Sequence, residues 1–381
     1  MASPRITSKK RLLLIFPGPQ YDLARAFESR LVGLSQHFEG FVLARTPAAA
    51  NIRYGDFLVT TTPISGGGGV LSALTFFYKG FCLSLQSRLR RKPIDLIVTY
   101  DPLKSGLLGV ILAKIANSRL VTEVNGDYTA WANYAEIDNP ILRRLRRRLS
   151  ISIEKFVLER ADGIKLVYPE QINCFGSMSG SKVVRTFPDY VNLKDFTNLG
   201  EEKIVLLAGF PLFVKGVDIL ISAFKKIAPK YPDWNLKILG WFPDATELNA
   251  HMGGHPQIFH HKPVHHRDMP QHIGRCAIFV LPSRTEGIAR VLLEAMASEK
   301  PRIGSDVGGI PTVIEHGQDG FLFESENVGQ LAGLLDRLMG NSGLRKQLGT
   351  NAGQRLKKDF SFEQYIARTV ELYSQVLFEQ R

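Results

Sequence analysis

The sequence predicts an α/β protein built from two doubly wound units with largely parallel sheets. Three observations carry this. Apolar runs of strand length alternate with helix-periodic stretches in both halves of the chain. An irregular polar stretch, Thr186 to Glu202, separates the two series. The 381 residues, 44% of them apolar, suffice for two cores. The expected division is an N-terminal unit over 1–190, a linker over 191–202, a C-terminal unit over 203–360 and a last helix over 361–381 that crosses back to the N-terminal unit.

In the first half, Arg11 to Phe16 reads as a buried parallel strand that ends in a Pro-Gly loop at Gly18. A helix over 21–36 follows, then strands at Phe41–Ala44, Phe57–Thr61, Asp95–Tyr100, Leu120–Val124 and Ile164–Tyr168. Ligands in such sheets bind beyond the carboxyl ends of the strands, which directs attention to Gly18, 65–69, 100–105 and 125–128. The four-glycine run Gly66–Gly69 lacks the Lys-Ser/Thr of a P-loop, so it is a flexible turn or a mobile loop over an acceptor. Val70 to Leu85 has Lys79 as its one charge and reads as a packed helix rather than a membrane-touching one. Asn125-Gly126-Asp127-Tyr128 closes a strand, where a carboxylate can accept a sugar hydroxyl; the same residues also make a common turn. In Ile141–Ile153, Leu142, Leu145, Leu149 and Ile153 recur at helical spacing, and five arginines between 143 and 148 crowd the other faces. That is either a basic amphipathic helix for an anionic bilayer or a solvated face.

In the second half, Lys203–Gly209 opens a new series. The helix after Lys215-Gly216 carries Val217, Leu220, Ile221, Phe224 and Ile227 on one face. Strands follow at Leu236–Leu239, Gln257–His260, Ala277–Leu281, Arg302–Ser305 and Gly320–Phe323, and an amphipathic helix at Ser361–Phe378. Glu286 stands on the loop after a buried strand, and Glu294 within the helix Val-Leu-Leu-Glu-Ala-Met-Ala. A carboxylate in so apolar a helix is costly unless paired, so Glu294 is a satisfied core group or a site group. Seven of nine histidines fall between His251 and His272 without zinc spacing; they read as loop and strand-edge residues, with His265 and His266 as candidates to line a ligand.

Composition narrows the class. Net charge is +12, and residues 1–200 hold 27 Lys and Arg against 16 Asp and Glu, so the N-terminal half faces something anionic. No helix-turn-helix, zinc or RNA-recognition pattern accompanies that charge, which argues against nucleic acid. Cys82, Cys174 and Cys276 form no metal or disulfide spacing, and no stretch has the length and apolarity of a membrane span or a signal peptide. The expectation is a cytoplasmic protein, peripheral on the cytoplasmic face of a membrane.

Four motifs resemble the retaining, nucleotide-sugar-dependent glycosyltransferases of family 4, also called glycosyl transferase group 1. They are Gly209 with Lys215-Gly216, the Glu286–Glu294 pair in Pro-Ser-Arg-Thr-Glu-Gly…Leu-Leu-Glu-Ala-Met-Ala, Asp306-Val-Gly-Gly-Ile-Pro311, and Gly317-Gln-Asp-Gly-Phe-Leu-Phe323. The resemblance is strong over about residues 200–360 and weaker, though compatible, before them. It implies the GT-B fold: two facing Rossmann-like domains with a cleft between them and a C-terminal helix across the hinge. It also implies a hexosyltransferase-type enzyme. The co-substrate is a UDP- or GDP-sugar, the acceptor a glycan or lipid-linked molecule of cell-envelope polysaccharide or glycolipid synthesis, and no metal or other cofactor is required.

Carried over by motif, Gly209, Lys215, Glu286, Gly287, Ile288, Ala289, Arg290 and Glu294 bind the donor. Lys215 holds the diphosphate, Glu286 the sugar hydroxyls and Glu294 the ribose. Gly18, Asn125, Asp127 and Tyr128 are the acceptor-side candidates, with Glu286, Lys215 and Asp127 in the catalytic set. Retention implies same-face attack, with the leaving phosphate oxygen taking the acceptor proton and no protein nucleophile. Two departures stand out: Phe210 where the family has Arg, and Thr312 where it has an acid. Arg284 and Arg290 are candidates to replace the missing phosphate ligand. The alternatives are a sugar-nucleotide-binding partner subunit with little activity, or a nucleotide-sugar epimerase on the same fold.

Overall fold

The computed structural model describes residues 9–16, 27–46, 51–63, 69–89, 92–176, 182–242, 245–287 and 289–378. Gly18, Ile288, residues 64–68 and the start of the expected helix over 21–36 lie outside the described residues. The chain divides into two compact units.

The first unit holds an eight-stranded sheet: β1 (Lys10–Ile15), β2 (Phe38–Thr46), β3 (Asn51–Tyr54), β4 (Phe57–Pro63), β5 (Leu96–Thr99), β6 (Arg119–Val124), β7 (Gly163–Leu166) and β8 (Val183–Thr186). Their order is β3-β4-β2-β1-β5-β6-β7-β8. All pairs are parallel except the β3–β4 hairpin at the edge. The apolar runs are strands because both faces of a parallel sheet are covered; β5 and β7 are buried at every position. The helices are α1 (Glu28–Ser35), α2 (Gly69–Leu89), α3 (Lys104–Ala116) and α4 (Pro140–Arg160).

The second unit holds six parallel strands: β9 (Glu202–Ala208), β10 (Asn235–Leu239), β11 (Ile258–His261), β12 (Cys276–Leu281), β13 (Arg302–Ser305) and β14 (Phe321–Phe323). Their order is β11-β10-β9-β12-β13-β14. Its helices are α5 (Val217–Ile227), α6 (Thr246–Met252), α7 (Met269–Arg275), α8 (Arg290–Ala297), α9 (Ile310–Val313), α10 (Val328–Met339) and α11 (Ser342–Asp359). Separate apolar clusters fill its two sides, one with α5 and α10, the other with α8 and α9. This is a doubly wound sheet whose strand order reverses between β9 and β12, the place where such sheets hold ligands.

One boundary differs from the expected division. Residues Ala130–Arg143 count with the second unit, where Trp131 meets the Phe213 ring at 5.8 Å. The last helix, α12 (Phe362–Phe378), counts with the first unit. A buried polar network ties it there. Glu123 on β6 is fully buried and accepts from Arg30 of α1 at 2.5 Å and from the Tyr373 hydroxyl of α12 at 3.0 Å. Lys165 on β7 lies 4.0 Å from Glu123 and pairs with Asp189, which also accepts from the Tyr100 hydroxyl at 3.1 Å. Burial, then the Glu123 charge, holds the Tyr373 hydroxyl well above its ordinary value, so it stays a donor.

Breaking a buried pair leaves a charge without compensation. Arg30→Ala is therefore expected to cost about 3–5 kcal/mol, and Tyr373→Phe about 1 kcal/mol. Urea unfolding followed by circular dichroism checks the ranking, and equal losses would contradict it.

Candidate functional site

The site residues gather where β9 and β12 end. Gly209 follows β9 and its amide donates to Leu239 O at 2.9 Å. A Cβ there would lie 2.9 Å from Lys215 Cγ, so the glycine gives the lysine stem room to pass. Gly216 sits at φ +62° before α5, and a Cβ on it would lie 2.0 Å from Pro282 O. Only glycine suits that position, both for its backbone angle and for the close approach. The two loops therefore touch, which brings the Lys215 ammonium into an ion pair with Glu286 Oε1. Ser283 Oγ donates to the same oxygen at 3.0 Å.

The Gly-Gly motif backs this loop from behind. Gly308 has φ +53°, and a Cβ on it would lie 2.1 Å from Glu286 O. The next amide, Gly309, donates to that oxygen at 3.3 Å. Glu294 lies buried on α8 and pairs with His266 Nε2 at 3.1 Å. The segment carrying His266 also brings it edge-on to Phe196 at 5.8 Å. Gly287 and the buried Ala289 lead into α8, and Arg290 begins it, exposed. No side chain caps that helix start, so its first amides point outward with the positive end of the dipole. The switch point thus presents an ammonium, two carboxylates and a helix N-terminus, a set suited to a ligand that carries both phosphate and hydroxyl groups.

Some expectations change. Arg284 is not a spare phosphate ligand: it donates to Asp218 at 2.8 and 2.7 Å and to Glu326 at 2.6 and 2.9 Å, and stacks over Phe213 at 4.0 Å. Phe210 supplies no charge; its ring meets Trp241 at 5.1 Å and Phe242 at 6.4 Å. Thr312 turns its hydroxyl back onto Gly309 O at 2.7 Å. The Gly317–Phe323 motif is structural, since Asp319 is buried between Arg302 at 3.0 Å and Arg355 at 2.8 Å. His260 and His272 bond to Gly240 O and Lys237 at 3.1 and 3.0 Å. Among the described residues no group of three His, Cys, Asp or Glu is placed to hold a metal ion.

In the first unit, Asn125 is engaged at both ends: its amide donates to Tyr100 O at 2.9 Å and its oxygen accepts from Lys165 at 3.3 Å. Asp127 makes a turn, accepting from Thr129 N at 3.0 Å and Thr129 Oγ1 at 2.8 Å. Tyr128 packs against the core formed with α2, α3 and α4. Sequence reasoning missed Glu154 of α4, which is buried with one carboxylate oxygen unpartnered. Burial, then the Asp127 charge, pushes it up to about 8. Its one sequence signal is an acid inside a helix of basic and apolar residues.

Residues 192–355 match the family model described as Glycosyl transferases group 1, which bears out the resemblance over the C-terminal unit. An uncharacterized glycosyltransferase of Haemophilus influenzae is 24% identical over 301 residues, 76% of this chain and 79% of that protein. Sucrose-phosphate synthase from Thermosynechococcus elongatus aligns with TM-score 0.74 over 97% of this chain and 99% of its own, at 18% identity. The Anabaena protein HepE in complex with UDP aligns with TM-score 0.69 over 96% of this chain and 100% of its own, also at 18% identity. At such identity the structural likeness speaks for the fold, and it bears out the α/β GT-B class.

The raised Glu154 value has a pH signature. Between its ordinary 4.5 and about 8, the folded chain keeps a proton that the unfolded chain releases. Stability therefore falls as pH rises through that window, by at most about 1.4 kcal/mol per pH unit. Glu154→Gln is expected to match the wild type at pH 5 and exceed it at pH 9 in denaturation midpoint. Parallel profiles would contradict the assignment.

Proposed function

We propose that this chain, related to the group 1 glycosyl transferases through its C-terminal sequence and of GT-B architecture, is a retaining enzyme of the family 4 type. It moves a hexose from a nucleotide-sugar donor, a UDP- or GDP-sugar, to a glycan or lipid-linked acceptor in cell-envelope polysaccharide or glycolipid synthesis. The observation that carries this is the Lys215–Glu286 pair at the β9–β12 switch point, with Glu294 on the helix that follows.

In this reading the free chain keeps Lys215 and Glu286 as each other's counter-ions. An arriving diphosphate takes the ammonium, and Glu286 turns to the sugar hydroxyls. Glu294 exchanges His266 for the ribose hydroxyls. The amides of Gly287, Ala289 and Arg290 face the diphosphate at the start of α8. As the glycosidic bond lengthens, negative charge grows on the leaving phosphate, and Lys215 with the helix N-terminus stabilises it. The leaving oxygen takes the acceptor proton on the same face of the sugar, so neither a protein nucleophile nor a metal is required. Gly18, Asn125, Asp127 and Tyr128 serve the acceptor side; Asn125 and Asp127 do so by shaping the loop after β6. UDP in the HepE structure supports a nucleoside diphosphate donor without selecting the base for this chain. The basic N-terminal half favours an anionic membrane, on its cytoplasmic face, over nucleic acid.

A second reading, a donor-binding partner subunit with little activity, is motivated by Phe210, which leaves the diphosphate one cation short of the family pattern. Transfer assays separate the two. Lys215→Ala and Glu286→Gln are each expected to lower kcat by about 100- to 1,000-fold, and NMR of the product is expected to show the donor's anomeric configuration kept. Unchanged turnover in both variants would overturn the assignment. An isomerised sugar formed from donor alone would point to an epimerase.

A further inference from the structure

One side of the N-terminal sheet is covered by α2, α3 and α4 in succession. They are direct neighbours: a Cβ at Gly80 of α2 would lie 2.9 Å from Leu112 of α3, and one at Gly106 of α3 would lie 2.8 Å from Val157 of α4. Their inner sides supply Phe76, Leu108, Leu112 and Leu158 to the core. Their outer sides are not the polar surface that helices of a soluble layer normally present.

On α2, Leu74, Tyr78, Phe81, Leu85 and Leu89 follow one another at steps of four, three, four and four and form a single stripe, exposed between 38% and 73%. α2 packs one side into the core and leaves an apolar side open. On α4, Leu145 and Leu149 are exposed in the same way. Contiguous apolar surface of this kind marks an interaction site. The three helices carry eleven Lys and Arg against Glu154 and Glu159, of which Glu154 is buried.

The combination selects the partner. A second copy would set the same cations face to face with few acids to meet them. Nucleic acid would use the cations but not a stripe of leucine and aromatic side chains. An anionic bilayer uses both, with apolar side chains at the headgroup–acyl boundary and basic ones on lipid phosphates. No helix among the described residues is long and apolar enough to cross a membrane. We propose that the α2–α3–α4 layer is a docking face for an anionic lipid bilayer, with the α2 stripe immersed in its surface and the exposed Arg144, Arg146 and Arg148 of α4 on the headgroups. This rests on the membrane clause of the proposed function and goes beyond it in naming the face and the side chains that insert.

The test is flotation of the full-length protein with vesicles of phosphatidylcholine alone or with 30 mol% phosphatidylglycerol, run beside a nucleotide thermal-shift assay. Wild type is expected to float with the anionic vesicles and to keep a measurable share of binding in 0.5 M salt, because inserted side chains are not screened. Leu74→Ser/Phe81→Ser is expected to lose that salt-resistant share at least tenfold. Arg144→Ser/Arg146→Ser/Arg148→Ser is expected to lose most of the preference for anionic over neutral vesicles. Both are expected to keep wild-type circular dichroism and the wild-type nucleotide shift. Wild-type flotation by the α2 variant would overturn the proposal while leaving the membrane clause standing. Absence of any wild-type flotation at low salt would remove both. A concentration-dependent dimer dissolved by Phe81→Ser, without vesicle binding, would replace the bilayer with a second copy. Loss of the nucleotide shift by wild type would bear instead on the glycosyl-transfer reading.

Discussion

The second unit depends on one close passage of backbone. Gly216 lies under the Pro282 carbonyl with no room for a Cβ, and Gly308 lies likewise behind Glu286. These two contacts hold three loops, from the ends of β9, β12 and β13, against one another. The Lys215–Glu286 pair follows from them, since neither side chain would meet the other if the loops stood a side chain's width apart. Glycine spacing in the sequence is therefore a statement about the loop geometry: it sets how near the cation and the carboxylate stand.

The first unit is held by a different kind of constraint. Its sheet buries Glu123 and Lys165 on adjacent strands, and the charges are balanced by Arg30, Asp189 and the Tyr373 hydroxyl. These partners come from distant parts of the chain, including its last helix. Such a network gives little net stability over an apolar core but penalises every arrangement in which a partner is missing. It makes α12 part of the N-terminal unit although the chain reaches it only after completing the other one.

Most strands could be read from the sequence because a parallel sheet covered on both faces forces continuous apolar runs, as in Leu96–Thr99 and Cys276–Leu281. The edges were not legible: Asn51–Tyr54 is mostly exposed and pairs antiparallel, and Val183–Thr186 is short and half-buried. The motifs placed Lys215, Glu286 and Glu294 within one unit, but spacing alone could not show that Arg284 is already held by Asp218 and Glu326. Nor could it show His266 as the partner of Glu294, because 28 residues separate them. For α2, apolar residues on every side hide which side is covered; periodicity reports a face only when the other face is polar.

The central claim is that a nucleoside diphosphate sugar is held by the loops after β9, β12 and β13. Hydrogen exchange with and without UDP or GDP tests it most directly, because ligand contact protects the amides it orders. The account predicts added protection over 209–216, 284–294 and 308–309. Protection confined to other segments, at nucleotide concentrations that raise the melting temperature, would contradict it.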